Sequence, residues 1–168
     1  AEKDLLATHA VNVTFYSALI GLTMKYPKPR LIELALGTLM INVGMVQIPV
    51  YITHKQSALT EHELNQVKTH PVLAYQAMKK YGNFSEKSCL VSLQHHEQYD
   101  GKGYPRGLNG AEIDECSRIA AIADNPDAPT FANTSVAMMM AGEPLDRALT
   151  LFGVMTSNIG GAEWDALE

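Results

Sequence analysis

His95-His96-Glu97-Gln98-Tyr99-Asp100-Gly101-Lys102-Gly103-Tyr104-Pro105 sets two adjacent imidazoles beside an acid and a glycine-punctuated loop closed by proline. Successive helix residues diverge by about 100°, so neighbouring histidines can flank one metal cluster. Glycine lets the following chain fold tightly, and Tyr104-Pro105 stiffens its exit. Taken alone the pair is ambiguous. Histidines at a helix C-terminus also satisfy the last carbonyls and complement the dipole, and Asp100-Gly101 is an ordinary turn dipeptide.

Outward from this stretch the chain reads as helix after helix. Ser85 caps a helix running to His96, and residues 97–116 form a long loop of the kind that carries function. Upstream, Leu5, Leu6, His9, Val13, Tyr16, Ile20 and Met24 recur at helical steps, and Pro27 and Pro29 end that first helix. Leu31 to about Ile41 is a second, very apolar helix, and Gly44 to Pro49 a turn. Thr60 and Glu63 have capping-box spacing, and Pro71 breaks the helix that follows. A further helix runs through Met78. Helices over 117–124, 134–141 and 144–155 complete about seven or eight, with no alternating β pattern.

The 168 residues suit one domain, 1–168, large enough to bury a core. A net charge of −5 without a Lys/Arg stripe argues against gripping a nucleic-acid polymer. Cys89 and Cys116 follow no ligand or disulfide pattern, which suits a reducing cytoplasm. No secretory signal and no apolar run of membrane-spanning length is expected. His54 and His62 read as solvent-facing, and Met138-Met139-Met140 as a core or contact stripe.

The 95–105 stretch resembles the HHExxDGxGYP signature of the HD-GYP family, the bacterial cyclic di-GMP phosphodiesterases. Thr69-His70-Pro71 is similar to the family's THP element, and Ala123-Asp124-Asn125-Pro126-Asp127-Ala128 to its ADxxDA. The resemblance implies an all-α HD-domain bundle, expected to be the output domain of a longer signalling protein. It also implies metal ligation by His70, His95, His96 and Asp124, and by His9, which falls where the family carries another ligating histidine, although Leu5 and Asn12 stand where an acid and an arginine would usually help. Asp100, Gly101, Gly103, Tyr104 and Pro105 make the loop through which the family is implicated in contacts with GGDEF-type diguanylate cyclases. Tyr99, Tyr104 and Leu108 would be its exposed docking side chains.

The family's namesake element, HDxGKxxIP, is altered. Gly44, Ile48 and Pro49 hold the frame, but Ile41, Asn42 and Met45 stand in place of His, Asp and Lys. Ile41 has no lone pair, and the neutral amide of Asn42 cannot bridge two cations as a carboxylate does. Met45 removes a positive charge that would meet phosphate. The stretch 129–136 also lacks the basic residues that the family's LTSxRPYR segment offers to phosphates. The expectation is a catalytically weak or inactive regulatory or protein-interaction module in cyclic di-GMP signalling, set in the cytoplasm. It would keep at most one divalent transition metal (iron, manganese or zinc). The alternatives are a phosphodiesterase with a reduced metal site and a non-hydrolytic cyclic di-GMP sensor.

Overall fold

The computed structural model describes residues 2–125. Among them lie seven α-helices, two 3-10 helices and no strand: α1 Glu2–Thr23, α2 Lys28–Leu39, α3 Val50–Thr53, α4 Glu61–Val67, α5 His70–Tyr81, α6 Glu86–Gln94 and α7 Glu115–Asp124. The helices expected over 134–141 and 144–155, with the methionine stripe, fall outside the described residues.

α1 buries Ala10, Val13, Ser17 and Ile20, a face repeating at three- and four-residue steps as the sequence implied. It ends at a turn where Lys25 takes a φ of 58°. Pro27 and Pro29 do not merely close α1; Pro27 is the N-cap of α2 and Pro29 sits in its first turn, so α2 begins at Lys28 rather than Leu31. Proline suits this position because the first-turn amides have no intrahelical partner to lose. Leu34 of α2 joins Ile20, Val91, Cys116, Ile119, Ala120 and Ile122 in the central core. Each large side chain there contributes roughly 1.5–3 kcal/mol through burial.

The segment expected as a turn from Gly44 is part of a 3-10 helix, Ile41–Gln47, laid against α5. A β-carbon at Gly44 would collide with the His70 carbonyl oxygen and lie 2.8 Å from the Ala74 nitrogen. Glycine is therefore required here by the close approach of two backbones.

Lys28–Gln47 is, by length and composition, apolar enough to cross a membrane, contrary to the expectation that no such run exists. In the fold the run changes from α to 3-10 geometry at Met40, and Leu34, Gly37, Thr38, Ile41 and Gly44 are buried. Those buried positions are a minority of the run, and Ile32, Leu36, Leu39 and Val46 are exposed.

The local signals downstream hold. Thr60 Oγ1 accepts from the Glu63 amide at 3.3 Å, and Glu63 Oε2 accepts from the Thr60 amide at 2.7 Å, the reciprocal bonds of a capping box. Ser85 accepts from the Ser88 amide at 3.2 Å to start α6. α7 opens at Glu115, two residues before the expected Ser117, because Asp114 caps it through the Cys116 amide at 2.9 Å. His54 and His62 are exposed.

Candidate metal centre

Three helix ends converge on one point. His70 opens α5, His95 caps the C-terminus of α6 with His96 next to it, and Asp124 closes α7. One ligand atom from each of His70, His95 and His96 lies within 4.8 Å of the others. His70 and His95 are each 2 % exposed.

The tautomers follow from the partners. His70 Nδ1 is 2.9 Å from the Val67 carbonyl oxygen, and His95 Nδ1 is 2.8 Å from that of Ser92. A carbonyl only accepts, so each Nδ1 carries the proton and donates it. The two Nε2 atoms, left with lone pairs, face one another at 3.2 Å. Two lone pairs aimed at each other in a buried site repel unless a cation lies between them. Donation of the second ring N–H to a main-chain carbonyl is also the usual support of a metal-ligating imidazole. The histidine donor set thus fits a divalent transition metal.

Burial and the field of His95 push His70 down to about 4, against the opposing pull of its bond to Val67 and of Asp124. Burial also lowers His95, and burial with the field of His95 takes His96 well below the usual histidine range. The cluster is held neutral, the state in which imidazole ligates. Burial alone would raise Asp124, but the hydrogen bond from His9 leads the influences that outweigh it and keep the carboxylate ionised. His9 Nε2 meets Asp124 Oδ1 at 2.8 Å, and that hydrogen bond raises His9 despite its partial burial. His96 Nδ1 lies 3.8 Å from Asp124 Oδ2. His9 thus joins the site through Asp124, across 115 residues of sequence.

Ile41, Asn42 and Met45 differ in their surroundings. Ile41 is fully buried with Val13 and Ala123, against Tyr16. Met45 packs on Ile48, Ile52 and Val67. Asn42 has a buried amide nitrogen with no hydrogen-bond partner.

The loop after the histidines corrects one expectation. Tyr104, expected to be exposed, is half-buried: its ring stacks on His96 at 4.7 Å between centroids and 21° between planes. Lys68 Nζ sits 5.6 Å from the centre of the same ring. Tyr99 does face solvent, 45 % exposed. Asp100 accepts from the Lys102 amide at 3.0 Å and pairs across the loop with Asn109, while Gly101 takes a φ of 79°. Gly103 packs against the backbone of His96, Glu97 and Gln98, and the Tyr104-Pro105 bond is cis.

Glu97 is the residue that sequence reasoning passed over. Its carboxylate, 3 % exposed, accepts from the amides of Arg106 at 2.7 Å and Leu108 at 2.9 Å. These bonds hold the loop in the arc that delivers Tyr104 to His96. An acid following two histidines was visible, but the amides it binds lie nine and eleven residues on.

A family described as HD domain matches residues 1–147. The chain is 41% identical over 100 residues to the cyclic di-GMP phosphodiesterase response regulator RpfG of Xanthomonas campestris, covering 59% of this chain and 26% of that protein. It is 35% identical over 115 residues to the cyclic di-GMP phosphodiesterase PdeB of Borreliella burgdorferi, covering 68% and 30%. To 3'3'-cGAMP-specific phosphodiesterase 3 of Vibrio cholerae it is 31% identical over 151 residues, covering 90% and 32%. The chain therefore spans about a quarter to a third of the length of these relatives. Among solved structures, Bd1817, an HDG"Y"P protein from Bdellovibrio bacteriovorus, shares the fold at a TM-score of 0.64 and 19% identity, over 90% of this chain and 52% of that one.

Proposed function

Because the chain belongs to the HD-domain family, we propose that it acts in cyclic di-GMP signalling as a regulatory or protein-interaction module whose phosphodiester hydrolysis is weak or lost. The observation that carries this reading is the contrast within one site. His70, His95 and His96 form a neutral ligand cluster, while Ile41 is packed in an apolar cluster and Asn42 brings no charge. The residues support one ion better than a bridged pair, because a neutral amide cannot tie two cations together.

One iron, manganese or zinc ion would be held by Nε2 of His70 and His95 together with His96, with Asp124 alongside. When bound, such an ion polarises a phosphoryl oxygen as a Lewis acid. The protein's own part is to fix the imidazoles through Val67 and Ser92, to keep Asp124 ionised through His9, and to cover His96 with Tyr104. The partner in this reading is a GGDEF-type diguanylate cyclase or another signalling protein that meets the 98–109 loop, where Tyr99 is the exposed aromatic. The setting is cytoplasmic, and the chain is one domain of a longer signalling protein. The second reading, a phosphodiesterase with a reduced site, is favoured by the intact histidine cluster. The third is a sensor that binds cyclic di-GMP without cutting it.

Metal content and turnover of cyclic di-GMP with added manganese or iron test the proposal together. About one metal per chain with negligible turnover is expected, and Ile41→His/Asn42→Asp/Met45→Lys should gain metal and activity. Turnover by the native sequence that His95→Ala abolishes would establish the second reading instead. Saturable micromolar binding without hydrolysis, measured by calorimetry, would establish the third.

A further inference from the structure

α1 and α2 present apolar side chains to solvent as well as to the core. On α1 these are Val11, Phe15, Leu19 and Leu22, between 38% and 59% exposed. Their steps of four, four and three return after eleven residues to the same side of the helix, so they form a straight stripe. On α2 they are Ile32, Leu36 and Leu39, 38% to 47% exposed, at steps of four and three. The helices run antiparallel, because Thr38 Oγ1 donates to Thr14 Oγ1 at 3.2 Å near one end and Gly21 lies against Leu31 and Leu34 near the other. On each helix the stripe lies about a quarter-turn from the side facing its neighbour and away from the buried core face. Both stripes therefore emerge on one outer surface.

Along α1 and the C-terminal half of α2 that surface carries no charge, while at the start of α2 the exposed Lys28 lies one turn before Ile32. No Asp, Glu, Lys, Arg or His occurs from Ala10 to Met24 or from Leu34 to Thr53. A nucleic acid or an acidic partner would find a cation only at the Lys25–Lys28 end, and the chain's net charge of −5 would oppose its approach. An anionic membrane meets the same repulsion. A second copy brings an equally uncharged apolar stripe, with no like charges to desolvate against each other. From their exposures the seven side chains offer roughly 600 Å² of apolar surface, at the top of what a monomer usually leaves open. Twofold pairing would bury about 1,200 Å², the lower bound of a specific interface.

We propose that the outer face of the α1–α2 hairpin is an isologous dimer interface, paired with the same face of a second copy of this chain. The inference is independent of the metal centre and of any reaction carried out there. A self-complementary patch closes on itself under twofold symmetry, so assembly stops at two.

Sedimentation equilibrium of the full 168-residue chain over about 1–100 µM tests it, with dissociation expected in the micromolar range for an interface of this size. Phe15→Glu and Leu36→Glu each place a charge at the seam, at side chains that are 59% and 38% exposed. Each should raise the dissociation constant about 100-fold or more and leave the melting temperature of the monomer unchanged. Mixing Phe15→Glu with Phe15→Lys should restore dimers. A chain that is monomeric at 100 µM overturns the proposal, whether the stripe is covered by residues 126–168 or by phosphatidylcholine vesicles added to the cell. So does a dimer that both substitutions leave intact.

Discussion

His70 and His95 turn their Nε2 atoms towards one another at 3.2 Å although both rings have already given their Nδ1–H to main-chain carbonyls. The arrangement is costly for an empty site and natural for an occupied one. Adding manganese or zinc should therefore raise the melting temperature. A ligand at 100 times its dissociation constant contributes about 2.7 kcal/mol, which in a domain of this size corresponds to roughly 5–10 °C. His70→Ala or His95→Ala should remove that increment and bring bound metal close to zero by elemental analysis. A metal-induced rise that survives both substitutions would place the ion elsewhere.

Glu97 should matter to the loop before it matters to chemistry. Glu97→Ala leaves the Arg106 and Leu108 amides without their acceptor, and a buried hydrogen bond to a charged group is worth about 1.5–3 kcal/mol. Hydrogen exchange at those two amides should accelerate, and the Tyr104–His96 stack should loosen with them. Glu97→Gln keeps an acceptor oxygen and should fall between. Unchanged exchange in Glu97→Ala would mean that the loop is held by other bonds.

Glu63 supplies the pH dependence. The bond from Lys55, then those from the Thr60 amide and hydroxyl, hold its carboxyl at about 2 against an ordinary value of 4.5. Below about 4.5 the unfolded chain takes up a proton that the folded chain refuses. The carboxylate's contribution is thus complete above 4.5 and lost as pH falls towards 2. Urea midpoints of the native chain and Glu63→Gln should differ most at pH 6–7, narrow from about pH 4.5 downward and converge only at about pH 2. The histidines titrate alike in both proteins and cancel in the comparison. A constant gap from pH 7 to pH 3 would remove Glu63 from the capping box.

Gly44→Ala tests the link between the 3-10 helix and the centre. The new methyl would meet the His70 carbonyl and the Ala74 nitrogen, both backbone atoms that cannot rotate away. Overpacking commonly costs about 1–3 kcal/mol, and here relief requires α5 to move at its first residue. Both the melting temperature and the metal affinity should fall. Loss of stability with unchanged metal affinity would show that His70 keeps its place independently of the contact.

The parts of this molecule that local chemistry determines were legible beforehand. Thr60 with Glu63, Ser85 and Pro71 act within a turn of themselves, and their elements start where the sequence implied. The candidate ligands His70, His95, His96 and Asp124 come from motif resemblance; the fold clusters the three histidines and sets Asp124 beside His96. Long-range relationships were hidden. Gly44 reads as a turn glycine until α5 lies across it, and Glu97 as one more acid until the loop closes over it. Tyr104 reads as a surface aromatic for the same reason. Pro27 and Pro29 misled because proline both ends one helix and suits the first turn of the next.

Ile41 gives the sharpest test of the proposed single-ion site. It is 0% exposed among Val13, Ala123 and Tyr16, and Ala123 precedes Asp124. In Ile41→His the lost apolar burial costs about 2 kcal/mol, and an imidazole without a partner adds roughly 1–3 kcal/mol. The metal-free variant should therefore melt well below the native chain. Added manganese should recover part of the loss, because the new ring gains a ligand to bind. Recovery should be greater with Asn42→Asp present, since only a carboxylate can balance and bridge a second cation. Calorimetric scans of the single and double variants with and without metal measure both steps. If Ile41→His melts like the native chain without metal, the pocket already accommodates a polar ring, and the apolar cluster is not what keeps a second ion out.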